Sequence, residues 1–352
     1  MSSKQFPTRQ RVILTNARVP SPNQRATPGQ KEQHEKRNGK YLLLSLLVLL
    51  LMCTLCLWAY YLTTRKPLPE ILPPARVVAQ AIKPHYLFSI YGMQEPVGVA
   101  VTPEGDGIYV AESGGERLIR VFDRDGRPLA AFAPPQSQPP SRAPVFIALD
   151  NAGLVYVSDR LRHSVDIYDA GGNYRSSLKP LTSDGWSPVG LRFVGGDLYL
   201  TELTEKKHRV LVMDNSAKLT LQFGREGQGV DELWFPNSAI EDARGRIYVS
   251  DSNNGRVQVY DQGGKLLYTI PGFSLPRGLA IDADQRLYVV DAVGHIVKVY
   301  DATREKAEPL FDFGDLGMGN AQFNYPNDIA IDSTGRLYIA DRANNRVQVW
   351  LY

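Results

Sequence analysis

One arrangement of apolar and polar positions returns six times along the chain. It runs from a proline through a short apolar segment and a turn into a Leu/Ile-Tyr-Val-type segment closed by an acidic residue, and then into a further apolar run. The copies begin at Pro96, Pro144, Pro188, Pro236, Pro276 and Pro326. Each places a tyrosine 11 to 13 residues later (Tyr109, Tyr156, Tyr199, Tyr248, Tyr288, Tyr338), with an acid three residues beyond it (Glu112, Asp159, Glu202, Asp251, Asp291, Asp341). A fixed period of this size is the mark of a repeat architecture. Within one copy, such as Gly278 to Phe313, four β-rich runs alternate with turn residues, and no stretch of helical periodicity is long enough to compete. Asp125-Gly126, Gly171-Gly172 and Gly263-Gly264 are placed to join the third run to the fourth, glycine supplying the positive φ of a tight hairpin.

Four short antiparallel strands make one propeller blade, and blades packed radially bury each sheet against its neighbours. The pattern therefore predicts an all-β fold, a six-bladed β-propeller over residues 85–352. The sixth copy stops after its third strand, whereas an extra strand-like segment, HYLFSIYG (residues 85–92), precedes the first copy. That segment is expected to pair with Arg346 to Leu351 and close the ring, removing two open sheet edges.

A different pattern holds before the repeats. Tyr41 to Leu62 is 22 residues without a charge, long enough at about 1.5 Å per residue to cross a hydrocarbon core of roughly 30 Å. It is expected to be a single transmembrane helix. A signal peptide has a shorter apolar region with a cleavage site directly after it, and Ala79-Gln80-Ala81 lies too far downstream. Residues 1–40, basic and poor in large apolar side chains, are expected to be a disordered tail, and residues 63–84, with four prolines, a semi-rigid linker. Lys31, Lys36, Arg37 and Lys40 before the span outnumber Arg65 and Lys66 after it, which predicts a cytoplasmic N-terminus and an extracytoplasmic propeller at the cell membrane.

Charge changes meaning once the tail is set apart. The whole chain carries a formal +3, but nine of its 40 basic residues and only two of its 37 acidic ones lie in residues 1–40, so the remainder is net acidic. Nucleic acid is accordingly not an expected partner of the propeller. Both cysteines, Cys53 and Cys56, fall inside the apolar span, so the propeller must be held by its core alone.

The segments PNSAIEDARGRIYVSDSNNGRVQVYD (residues 236–261) and PNDIAIDSTGRLYIADRANNRVQVW (residues 326–350) resemble NHL repeats, as do the connectors FGREGQGVDELWFP and FGDLGMGNAQFNYP. The resemblance covers about residues 86–352. It implies the propeller fold and leaves activity open, because this fold hosts binding modules, sensor domains and some enzymes.

Features present in every blade read as construction. The six acids are expected to bond turn amides or the arginine near the start of the third strand (Arg209, Arg256, Arg346, and Arg117 displaced by an insertion), and the tyrosines to pack between blades. His163, His208 and His295 fall between second and third strands, where the resemblance places the repeat's own histidine. No HExxH or cysteine ligand set accompanies them, so neither a catalytic residue nor a zinc site is assigned. Six-bladed relatives that act as calcium-dependent lactonases or esterases make a hydrolase the alternative. Glu95, Asn237, Asn327 and Asp328 are the candidate oxygen donors for a channel metal, but Val97, Val145 and Val189 make half of that ring apolar.

Asymmetric features are the better candidates for function. Long connectors (residues 133–144, 179–188, 225–236 and 314–326) and a two-residue insertion at Lys206-Lys207 should open on one face, where loops on a rigid scaffold carry binding. Trp186, Trp234, Phe235, Phe323 and Tyr325 should lie there with Arg160, Arg162, Lys206, Lys207, Arg277 and Arg342, aromatics beside cations as in binding anchors. Trp186, Lys206 and Lys207 are the leading contact residues. The expected role is a membrane-anchored scaffold that recognises a protein, a peptide or an envelope polymer, with no cofactor required.

Overall fold

The computed structural model describes residues 44–56, 58–59, 83–178 and 185–352. The chain divides into two compact units, residues 1–79 and 80–352. In the first, residues 44–56 and 58–59 are helical, with their leucines exposed. No helix among the described residues is long and apolar enough to cross a membrane. The ends of the expected 41–62 span, the expected tail (1–40) and most of the expected linker (63–82) lie outside the described residues.

The second unit is a ring of six four-stranded antiparallel sheets. The six repeat prolines are the first residues of six strands, Pro96–Val101, Pro144–Leu149, Pro188–Val194, Pro236–Glu241, Pro276–Ile281 and Pro326–Ile331, which open blades 1 to 6. These strands contact one another around a central channel. Each is followed outward by its second, third and fourth strands, and the fourth is the most exposed, as in Pro128–Phe132 and Tyr174–Ser177. Blade 6 takes its outer strand from the other end of the unit: His85–Ile90 pairs antiparallel with Arg346–Leu351, His85 opposite Leu351 and Ile90 opposite Val347.

Six hydrophobic clusters fill the six spaces between blades. One joins Tyr248 and Val259 of blade 4 to Leu279 and Val289 of blade 5, and another joins Ile108 and Val110 of blade 1 to Tyr338 and Val347 of blade 6. The repeated tyrosines are packing residues, and most tie their hydroxyl to the turn below. Tyr248, Tyr288 and Tyr338 donate to Asp242, Asp282 and Asp332 at 2.9 to 3.1 Å. Burial beside such a carboxylate pushes the Tyr156 phenol up to about 12.

The six acids are buried at the ends of the second strands, beside the connectors that lead into the first. Asp251 accepts the amide of Trp234 and the side chains of Asn254, Arg256 and Gln258; Asp341 accepts from Asn324, Asn344, Arg346 and Gln348 in the same way. Glu112 reaches the amide of Gln94, Asp159 that of Ala143, and Asp291 those of Ser274 and Leu275. Glu202 bonds Thr204 and Arg209. In blade 1 the arginine is Arg120, not Arg117 as the spacing suggests: Arg117 donates instead to the carbonyls of Pro139 and Arg142 in the next connector.

Asp341 is fully buried and Arg346 nearly so, at 2.8 Å. Removing the acid strands a buried guanidinium and several amide donors. Asp341→Ala should therefore lower stability by about 3–5 kcal/mol in urea unfolding, whereas Asp125→Ala, in an exposed turn, should change it by under about 0.5 kcal/mol.

Candidate functional site at the channel mouth

The connectors and the hairpins between second and third strands open on one face, and the first-to-second and third-to-fourth hairpins on the other. On the connector face the residues that follow the six prolines surround the channel: Val97, Val145 and Val189 on one side, and Asn237, Arg277 and Asn327 on the other. With Arg160, Arg342 and Phe235 they enclose a cavity of about 370 Å³.

The polar half of this mouth is held from behind. Asn237 donates to Ser252 and to the carbonyl of Phe235, and its own carbonyl accepts from Arg277 at 2.8 Å. Asn327 reaches across to the Val97 carbonyl of blade 1. Glu95 accepts from Arg342 at 2.9 Å and from Ser113, and its carboxyl is held below the usual range chiefly by the Arg342 bond. Burial pushes the Arg277 guanidinium down against the opposing effect of the neighbouring Tyr325 hydroxyl, and the charges of Arg342 and Arg160 add to the downward push. The Arg342 guanidinium lies over the Tyr325 ring, 5.8 Å from its centre.

Below the mouth the channel is crossed by an ion pair. Arg192 extends from the first strand of blade 3 and donates to Asp328 on the first strand of blade 6, directly opposite, and to the carbonyls of Leu279 and Ile329 at 3.1 and 3.0 Å. Asp328 is fully buried and also accepts the Val99 amide at 3.0 Å. The carboxylate expected as a candidate metal donor is engaged here by a guanidinium. Past this bar lies a separate funnel lined by apolar side chains such as Val99, Ile147, Ile240 and Ile329. Among the described residues no group of three or more His, Cys, Asp or Glu side chains is placed to hold a metal.

Close packing of the ring depends on glycine in alternate blades. A Cβ on Gly278 would lie 2.7 Å from the Asp328 Cα, and one on Gly98 would lie 2.2 Å from the Val145 carbonyl oxygen. The residues two past each proline read Gly98, Phe146, Gly190, Ser238, Gly278 and Asp328. That alternation of glycine with a larger residue was available in the sequence as a signal for the channel, and so was Arg192, the one charge among the residues four past each proline.

The connectors themselves are braced. Arg256 donates to the carbonyls of Gly229 and Glu232, and Arg346 to those of Gly319 and Gln322. The N–H groups of Phe235 and Tyr325, both left-handed with φ of 56°, are accepted by Nδ1 of His208 and His295. These two histidines are thus loop supports. The other expected site residues separate: Lys206 is exposed on its hairpin, Lys207 and Trp234 are half-buried, and Phe235 stands at the mouth. Trp186 is corrected outright, being only 7% exposed and packed with Phe146, Val189 and Leu200 between blades 2 and 3. Residues 179–184 of its connector lie outside the described residues.

Two substitutions distinguish these roles. Trp186→Ala should cost about 3–5 kcal/mol in chemical denaturation, the loss expected of a core aromatic. Arg192→Met should destabilise by a similar amount, about 3–5 kcal/mol, because it leaves Asp328 buried and unpaired, and a double variant that adds Asp328→Asn should recover most of the loss.

The family model for the NHL repeat matches residues 239–260 and 323–350, in blades 4 and 6, which are also the blades with the arginine-braced connectors. Protein lin-41 of Caenorhabditis elegans is 45% identical over 47 residues, a match that covers 13% of this chain and 4% of that protein. Among solved structures, a streptogramin B lyase superposes with a TM-score of 0.56 at 12% identity, over 76% of this chain and 97% of that one. Virginiamycin B lyase from Staphylococcus aureus gives 0.52 at 16%, over 77% and 88%. A Bacteroides thetaiotaomicron protein of unknown function gives 0.56 at 16%, over 78% and 73%. At such identities the likeness is one of fold alone. Six four-stranded blades closed into a ring, two of them matched by the NHL-repeat model, make this chain a six-bladed β-propeller that carries NHL repeats.

Proposed function

We propose that the propeller is a binding scaffold that takes a protein or peptide on its connector face, and that residues 41–62 hold it at a membrane with the propeller on the extracytoplasmic side. The observation that carries the first part is the pair of braced connectors. Each is tied by an arginine and an asparagine to the third-strand hairpin, yet displays apolar side chains outward: Val230 is 78% exposed, Leu316 63% and Met318 80%. Rigid loops that present apolar groups lose little entropy on binding, and exposed apolar clusters mark interaction surfaces. NHL propellers generally serve protein interactions, which supports the same reading.

The membrane part rests on the uncharged run from Tyr41 to Leu62 and on the excess of basic residues before it. The likeness to two lyases supplies no catalytic residue to this chain at 12% and 16% identity.

A photo-crosslinking side chain placed at Val230 or Met318 in the full-length chain should capture a discrete partner in cells, whereas one at Leu129, on the outer strand of blade 1, should not. Val230→Asp with Met318→Asp should reduce capture at least tenfold. Equal capture from all three positions would remove the connector face as the binding surface. Protease added to intact cells should degrade the propeller; full protection would reverse the assigned topology.

A further inference from the structure

Three guanidinium groups from three blades converge on the channel mouth: Arg160 of blade 2, Arg277 of blade 5 and Arg342 of blade 6. Elsewhere in the ring, arginines that serve the fold are matched either by backbone carbonyls, as Arg117 and Arg142 are, or by a carboxylate. Arg192 has Asp328, Arg209 has Glu202, Arg256 has Asp251 and Arg346 has Asp341. At the mouth, only Arg342 has one, the half-exposed Glu95. No carboxylate lines the cavity among the described residues, and the buried Nε of Arg277 has no acceptor there. Clustered cations are costly in a partly dry site, and here the opposite wall is formed by Val97, Val145 and Val189. The same wall strengthens any ionic bond made beside it.

We propose that the channel mouth is an oxyanion site, taking the carboxylate or phosphate group of a small ligand or a chain end between Arg160, Arg277 and Arg342. The planar forks of three guanidiniums match the oxygens of such a group, each offering paired N–H donors. Asn237 holds the Arg277 fork in place through Nη1 at 2.8 Å. The cavity, about 370 Å³, suits a small acid or the end of a peptide and is closed below by the Arg192–Asp328 bar. The inference rests on the binding reading only for the choice of face. Its test uses none of the connector residues, so either can fail alone.

The experiment is thermal unfolding of the full-length chain at constant ionic strength with glutarate, inorganic phosphate, or a short peptide bearing a free or an amidated C-terminus. At a hundredfold excess over Kd, at least one oxyanion should raise Tm by roughly 5 °C, and the best of the three identifies the source as organic acid, phosphate or chain end. Arg277→Met should abolish the shift while leaving the unliganded Tm within a few degrees of wild type, since it removes a half-buried cation that has no carboxylate partner. Arg160→Ala, at an exposed position, should weaken binding at least tenfold, and it decides the matter if Arg277→Met does not fold. Arg124→Ala, on the opposite face, should change nothing. No shift with any oxyanion, or the same shift in wild type and both mouth variants (an adventitious ion only), overturns the proposal.

Discussion

The propeller depends on a buried carboxylate at the end of each second strand. A proline that opens a strand has no N–H to give the sheet, so the chain entering it needs another fastening. In five blades the acid supplies this by accepting an amide one or two residues before the proline. In blades 4 and 6 the same carboxylate also holds an arginine and a glutamine that reach back to the connector carbonyls. One charge thus fixes a strand end, a hairpin and an inter-blade loop together. Its desolvation is offset because nearly all its lone pairs are filled by donors.

That fastening explains why the two connectors are ordered loops despite their glycines. It also explains the left-handed Phe235 and Tyr325, each placed before a proline, where few conformations are open. Their amides cannot join a sheet, and the histidine between the second and third strands of the preceding blade accepts them. A histidine that invites a metal assignment is in this setting a backbone acceptor.

The channel is organised by a second charge pair, used differently. Arg192 and Asp328 lie on opposite blades, and their contact separates a mouth that carries charged and amide side chains from a funnel lined by apolar ones. Asp328 fits where Gly278 leaves room for it, and Arg192 spans the remaining width. Because the pair consumes the channel carboxylate, the charge left at the mouth is positive, and the chemistry available there is recognition of negative groups.

Much of this was legible in the residues alone. The six-fold period, the four strands per blade, the structural role of the acids and tyrosines, and the division of the mouth into three valines and three polar residues all follow from spacing, because a repeat carries its register in the sequence. Side-chain fates at unique positions do not follow in that way. Trp186 looked like a surface anchor and is core, and Asp328 looked like a metal donor and is paired, because each is decided by a partner from another blade. Arg192 lies 136 residues from Asp328 in the chain. The sequence by itself determined the blade and its repetition, which are local alternations of apolar and polar positions. Only the closed ring decided which charges meet across the channel and which are left to face a ligand, since those distances exist only after the blades have been brought round a common axis.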